Sequence, residues 1–233
     1  CVDADGDGYS TPTEDWGVDS GADAFPSDST QWSDFDEDGF GDNYGNASWT
    51  DRPENWVGIF VDGAQNQDAC PMQPGTSWRN GILGCPDSDG DGWWDVQDAF
   101  PTEATQHSDV DGDGFGDNQS GVNADACPNI GGNSTFDRLG CIDTDGDGRS
   151  DPELSWTFID GGDEFRLEST QWSDSDDDGY GDEIDGFQGD YCPNIYGLSF
   201  EDRFGCPDTD RDGYSDPDAN WTIEDGADAY ITD

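Results

Sequence analysis

The sequence predicts an irregular, elongated repeat array with little regular secondary structure, stapled by short disulfide loops. Three observations predict it. Leu, Ile, Val and Phe together supply only 33 of the 233 residues, too few for the apolar core of an ordinary domain of this length. Against seven basic side chains, all arginine, stand 57 acidic ones, giving a net charge of −50; yet the acids are not scattered as in a disordered chain but fall in one strict pattern. Seven cysteines recur at nearly constant intervals. The charge excludes nucleic acid and anionic membrane surfaces as simple electrostatic partners, since both are repelled. The longest apolar run, Trp56–Val61, is far short of the ~20 residues of a membrane-spanning helix, so no membrane insertion is expected.

The acidic pattern is D-x-D-x-D-G, repeated seven times. Its acids are Asp3, Asp5 and Asp7; Asp34, Asp36 and Asp38; Asp87, Asp89 and Asp91; Asp109, Asp111 and Asp113; Asp143, Asp145 and Asp147; Asp174, Asp176 and Asp178; and Asp208, Asp210 and Asp212. Six copies add an acid at the ninth position, namely Asp42, Asp95, Asp117, Asp151, Asp182 and Asp216, where the first copy has Thr11. Acids at positions 1, 3 and 5 of a tight loop converge on one point, the glycine at position 6 permits the sharp turn, and the carbonyl at position 7 points inward. That all-oxygen set suits Ca2+, which takes six to eight oxygens, better than Mg2+, which keeps stricter octahedral geometry, or metals that favour sulfur and imidazole. Seven loops imply seven or more Ca2+ ions. This is not an EF-hand array, because helix-breaking Gly, Pro, Asn and Asp flank the loops and position 12 lacks the required Glu in all but one copy.

Two kinds of loop alternate. Type A follows a cysteine (Cys1, Cys85, Cys141, Cys206) and leads to an acid-aromatic step. In the second type A loop that step places Asp98 at position 12, the slot of a closing ligand. In the other three, the matching acids Asp23, Asp163 and Asp228 lie nine residues later, after an insertion bearing Trp16, Trp156 or Trp221. An insertion of fixed length that keeps this acid predicts that all three still close their sites. Type B follows Thr-Gln-(Trp/His)-Ser and leads to Asp68-Ala-Cys-Pro, Asp125-Ala-Cys-Pro and Asp190-Tyr-Cys-Pro. The register predicts a first repeat over 1–84 with an insert over 47–67, a minimal repeat over 85–140, a third over 141–205 and a partial fourth over 206–233.

The cysteines Cys70 and Cys85, Cys127 and Cys141, and Cys192 and Cys206 are separated by 15, 14 and 14 residues, and pairing within each segment is the simplest connectivity. Closing such a loop is worth roughly 3 kcal/mol in the chain-entropy model. Disulfides place the chain in an oxidising compartment, extracellular or at a cell surface. Cys1 is left over. In register it is the second member of a pair, so the chain reads as a window on a longer array or as joined through Cys1 to a neighbouring subunit; a lipid-modified N-terminal cysteine is a third reading.

The string D-x-D-x-D-G-x-G-D followed by D-x-C-P resembles the thrombospondin type 3 repeat, including versions found in prokaryotic surface proteins. The resemblance spans nearly the whole chain apart from the inserts. It implies backbone wound round a string of Ca2+ ions, little helix or sheet, disulfide staples, and ligand roles for the acids named above, with Asp68, Asp125 and Asp190 among them. The Trp-bearing inserts, the D-A-F-P variant and Thr11 depart from the family pattern and bear on the ion count per repeat.

Nothing in the chain suggests an enzyme. His107, the only histidine, stands where Trp32 and Trp172 stand in sister repeats and reads as a packing residue. No segment offers the apolar cleft that raises one carboxyl pKa of a glycosidase pair. The ten tryptophans read first as small local cores; the unrepeated aromatics Trp49, Trp56, Phe60 and Trp93 are better placed for contacts with a ligand or another subunit. Arg79, Arg138 and Arg203, in the disulfide loops, are expected to pair with nearby acids. Sequons at Asn46, Asn118, Asn133 and Asn220 are candidate glycosylation sites. The expected function is a calcium-binding structural repeat protein, a rigid stalk or surface fibre, self-associating or continuing into a longer array. The alternative is a calcium-dependent adhesin that binds glycans or a partner protein through the Trp-rich inserts.

Overall fold

The computed structural model describes residues 1–46 and 55–232; Trp49 and the start of the 47–67 insert lie outside them. Among the described residues regular structure is confined to three single-turn 3-10 helices, Val18–Ser20, Arg79–Gly81 and Phe158–Asp160, and to isolated bridges such as Asp68 with Leu83 and Gly116 with Ala124. The chain falls into two compact units. One comprises Cys1–Ser108 with Ser120–Val122, the other Asp109–Gln119 with Asn123–Asp233. Among the described residues no helix is long and apolar enough to cross a membrane.

The buried residues invert the usual composition of a core. Among the described residues the buried apolar set is Ala22, Tyr44, Cys85, Cys141, Cys206 and Ala227, while eighteen polar or charged residues are buried, most of them Asp, Ser and Gln. Buried polar groups must be hydrogen-bonded or they destabilise the fold, and three glutamines show how this is met. Gln31, Gln106 and Gln171 are each at most 1 % exposed. Gln31 donates Nε2 to the carbonyls of Asn43 and Gln65 and accepts the Asn43 amide at 2.9 Å. Gln171 does the same with Glu183 and Phe187, and Gln106 donates to the Val122 carbonyl. A side-chain amide here does the work of a strand pairing.

Three disulfides join Cys70 to Cys85, Cys127 to Cys141 and Cys192 to Cys206, with Cα atoms 5.0–5.1 Å apart, within the relaxed range. Each loop is cinched from inside by one buried serine. Ser77, Ser134 and Ser199 accept the amide of the second cysteine and donate to the carbonyls of Ile82, Arg138 and Arg203.

Aromatic packing is local. The side chain at position 7 of a type A loop lies on the ring of the following Thr-Gln-(Trp/His) segment. Tyr9 stacks on Trp32 at 4.9 Å and Trp93 on His107 at 4.7 Å, and the Arg149 guanidinium lies 4.9 Å from the Trp172 ring centre and 4.7 Å from that of Phe136. His107 is thus a packing residue. Arg138 and Arg203 pair with Glu153 and Asp218 at 2.9 and 2.8 Å. Arg79 differs: it donates Nε to the Asp91 carbonyl and lies over Trp78.

Candidate metal sites

Each acidic loop is turned by its own side chains. In all seven the position-1 carboxylate accepts the amide of the position-6 glycine, from Gly8 on Asp3 to Gly213 on Asp208, at 2.7–3.1 Å. The position-5 carboxylate accepts the position-7 amide at 2.7–3.0 Å. The position-6 glycines all sit in the left-handed region, φ +93° to +104°, which a side chain disfavours. Position 4 is left-handed too: Gly6, Gly90, Gly112 and Gly146 occupy it in four loops, but Glu37, Asp177 and Arg211 in the others.

The turns gather the acids. The triads Asp3/Asp5/Asp7, Asp34/Asp36/Asp38, Asp87/Asp89/Asp91, Asp109/Asp111/Asp113 and Asp143/Asp145/Asp147 each bring one oxygen per residue within 4.8 Å of the others, and two further acidic groups do likewise. Asp174, Asp176 and Asp178, and Asp208, Asp210 and Asp212, lie in loops with the same hydrogen bonds.

The seven closing acids share one seat. The amides of Asp23, Asp68, Asp98, Asp125, Asp163, Asp190 and Asp228 donate to the position-8 carbonyls of Ser10, Gly41, Trp94, Gly116, Ser150, Gly181 and Ser215. Each closing carboxylate in turn accepts, through Oδ1, the amide two residues further on. The nine-residue insertions loop out, so Asp23, Asp163 and Asp228 arrive where Asp98 sits without one.

Position 9 is placed differently. Both oxygens of Asp95, Asp151 and Asp216 are taken by the amide and hydroxyl of Ser88, Thr144 and Thr209 at position 2. Asp182 clasps Ser175 in the same way and also accepts the Ser173 hydroxyl, while Asp42 and Asp117 accept the amides of Phe35 and Val110. These carboxylates fasten the two ends of the loop. Where the first loop has Thr11, position 2 is Ala4, so both halves of the side-chain clasp are missing together.

What remains is a set of oxygens with no protein partner. Among the described residues sixteen buried carboxylate oxygens lack a hydrogen bond, and every one belongs to position 3, position 5 or a closing acid: Asp5, Asp7 and Asp23; both oxygens of Asp36, with Asp68; Asp89; both of Asp111, with Asp125; Asp145, Asp147 and Asp163; and both of Asp176, with Asp190. Burial, reinforced by the neighbouring loop carboxylates, pushes Asp68 up to about 8, Asp163 and Asp190 to about 7, and Asp36 to about 6. Unpaired anions this close and this buried are strongly unfavourable by themselves. A hard divalent cation at each cluster satisfies the oxygens and removes the repulsion together, so the donor set fits a metal ion of the oxygen-seeking kind.

Sequence reasoning missed the left-handed position 4, whose signal is glycine in four of seven copies, and the position-8 carbonyl, which no residue type encodes. The four sequon asparagines, Asn46, Asn118, Asn133 and Asn220, are exposed. No protein-family model matches this chain, and no curated protein matches it.

Proposed function

We propose that this chain is an extracellular, calcium-binding structural repeat protein of thrombospondin type 3-like character. Its folded form is held by seven or more Ca2+ ions, and it serves as a rigid stalk or surface fibre. The observation that carries the reading is the set of sixteen buried carboxylate oxygens without a partner among the described residues, all at positions 3, 5 and the closing acid. Ca2+ at each loop would be held by the position 1, 3 and 5 carboxylates, the position-7 carbonyl and the closing acid. The ion supplies charge neutralisation and a fixed centre for the turn. The protein's own residues shape the loop, clasp it through position 9 and bind it through the disulfide to its neighbour. Three disulfides support an oxidising, extracellular setting, and exposed sequons suit glycosylation there. The composition, with a single histidine and carboxylates at ligand spacing, supports a structural rather than an enzymatic role.

The test is electron microscopy of native surface material before and after calcium chelation, with calcium counted by mass spectrometry of the intact chain under native conditions. Filaments that fray on chelation, from chains carrying at least seven ions, are expected. Ordered assemblies indifferent to chelation would overturn the reading.

One observation favours a second reading. A cavity of about 650 Å³ is lined by Trp56, Met72, Trp94, Asn55 and Gln73 among others, with no charged side chain among the described residues of its lining. In so acidic a chain these aromatic faces and amides suit a neutral, hydroxyl-rich ligand such as a glycan, and this is the adhesin alternative. Glycan-array binding that is lost in Trp56→Ala, with calcium content unchanged, would establish it.

A further inference from the structure

The three disulfide loops end alike but meet different neighbours. The carbonyls of Leu83, Leu139 and Phe204 accept the amide that follows the closing acid, from Ala69, Ala126 and Tyr191. That register sets Gly81-Ile82 at the place of Asp137-Arg138 and Asp202-Arg203. In the second and third loops the Asp-Arg pair reaches onto the next type A loop and its insert. Arg138 lies 5.5 Å from the Trp156 ring centre and Arg203 5.3 Å from that of Trp221. Asp137 accepts both the amide and the hydroxyl of Ser150 at 2.9 and 2.8 Å, and Asp202 those of Ser215 at 2.8 and 2.6 Å. The joint between disulfide loop and type A loop is thus filled by an Arg-Trp stack beside an Asp-Ser clasp, and Ser150 and Ser215 are fully buried.

The joint after the Cys70–Cys85 loop is built from other residues. Gly81 and Ile82 replace the Asp-Arg pair, Trp94 replaces the serine at position 8, and this type A loop carries no Trp-bearing insert. Gly81, Ile82 and Trp94 instead line the cavity of about 650 Å³, together with Asn46, Trp56 and Gln73, a size usual for a ligand pocket. Its walls are tied to folded backbone. Trp56 donates Nε1 to the Asp42 carbonyl at 2.7 Å and meets Tyr44 edge-on at 6.0 Å. The Trp94 carbonyl accepts the amides of Gln97 and of the closing acid Asp98. Gly45, next to Asn46, donates its amide to Gln67 Oε1 at 2.9 Å. Two indoles held in this way offer the apolar faces on which sugar rings stack, and the side-chain amides offer donors and acceptors for hydroxyls. Asn46 is exposed and heads the sequon Asn46-Ala47-Ser48, so an attachment point for a sugar stands in the lining itself.

We propose that Asn46 carries an N-linked glycan and that its first sugars occupy this cavity against Trp56 and Trp94. A covalent sugar then fills the joint that an Arg-Trp stack fills in the other two. The donor class is a lipid-phosphate-linked oligosaccharide. The Asn46 amide nitrogen bonds to the anomeric carbon, the anomeric carbon–oxygen bond to the lipid phosphate breaks, and the amide proton leaves with the phosphate; nothing is oxidised or reduced. The proposal gives the cavity an occupant tethered to the chain in place of a free ligand, and it rests on the functional reading only for the extracellular setting.

The test uses the calcium-loaded chain from native surface material and the Asn46→Gln variant made in the same cells. Glycopeptide mapping is expected to find a glycan on Asn46. Hydroxyl-radical footprinting then reads the two rings. A pocketed ligand has roughly 70–90 % of its surface covered, so Trp56 and Trp94 should be oxidised about three- to tenfold more slowly in the glycosylated chain than in Asn46→Gln. Asn133→Gln, which removes a sequon from the other compact unit, should leave both rates unchanged. Deglycosylating the folded native chain should raise the two rates as the substitution does, so a folding defect in the variant cannot mimic the result. Native material unmodified at Asn46 overturns the proposal, and free-glycan binding by that chain returns the cavity to the adhesin alternative. A glycan on Asn46 with both rings oxidised equally in its presence and absence overturns the seat in the cavity. Either result leaves the calcium reading standing. Ring protection in a chain that binds no calcium supports the proposal and overturns the calcium reading instead.

Discussion

At the scale of the residue, a closing acid is defined by its seat rather than by its distance along the chain. Asp98 lies eleven residues after the first Asp of its loop and Asp163 twenty, yet both donate to the position-8 carbonyl and accept the amide two residues on. Asp163→Asn and Asp98→Asn keep that hydrogen bond and lose only charge. Each should weaken one calcium site by about tenfold or more while leaving the others unchanged, read by calorimetric titration; an effect at Asp98 alone would break the equivalence. The shifts at Asp68, Asp163 and Asp190 carry a second expectation. Each is raised from 3.8 in the folded, metal-free chain. Such a group adds stability fully present below its unfolded value and lost as pH rises through its folded one. Acid should thus partly replace the cation: between about pH 8 and pH 4 the chelated, disulfide-intact chain should gain near-ultraviolet circular dichroism as these carboxyls protonate. The calcium-loaded chain should run the other way, because protons compete for its ligands. A chelated chain equally disordered at both pH values would contradict this. These acids were legible because carboxylates at fixed spacing leave a mark in the sequence. The clasp at position 9 was not, since the same Asp serves a ligand or a loop-end hydrogen bond equally well.

At the scale of the element, the unit is a loop with its closing acid and the disulfide loop that follows. The connection runs through one glycine. Gly84, Gly140 and Gly205 precede the second cysteines at φ +73° to +75°, and a Cβ on them would stand 2.2–2.3 Å from an oxygen of Asp68, Asp125 or Asp190. The Gly-Cys step therefore exists to let backbone touch the closing carboxylate. Gly140→Ala must both strain a left-handed residue and push Asp125 from its seat, at a combined cost of roughly 2–3 kcal/mol. We expect a lower midpoint in calcium-loaded thermal unfolding and loss of one bound ion, whereas Gly63→Ala, at positive φ but with nothing near its Cβ, should lower the midpoint and keep every ion. Disulfide pairing was readable here because three segments repeat the same spacing with the same ends. The way Asp137 and Asp202 reach forward to Ser150 and Ser215 was not, because a single Asp-to-Ser hydrogen bond thirteen residues apart leaves no periodic trace.

At the scale of the whole molecule, the sequence's shortage of apolar residues becomes a chain whose buried interior is carboxylate, amide and hydroxyl. Such an interior gains little from the hydrophobic effect, and a net charge of −50 opposes its compaction. On the proposed calcium reading, stability enters through binding. An ion that binds only the folded loop adds about 2.7 kcal/mol at a hundredfold excess over its dissociation constant, and several such loops together reach the scale on which whole domains are stable. Three conditions separate ligation from mere screening. In chelator with ~0.15 M NaCl, where charges more than about 8 Å apart are screened, the chain should stay expanded and protease-sensitive, because oxygens within 4.8 Å of one another lie inside the screening length. Millimolar Mg2+ should restore little, since it sheds its waters reluctantly and demands octahedral geometry. Millimolar Ca2+ should restore compactness and protease resistance together. Small-angle scattering and limited proteolysis on the same samples decide the matter. Equal recovery in Mg2+ would mean that a divalent countercharge suffices and that the loop geometry selects no ion, whereas recovery in NaCl alone would remove metal ligation from the account of the fold.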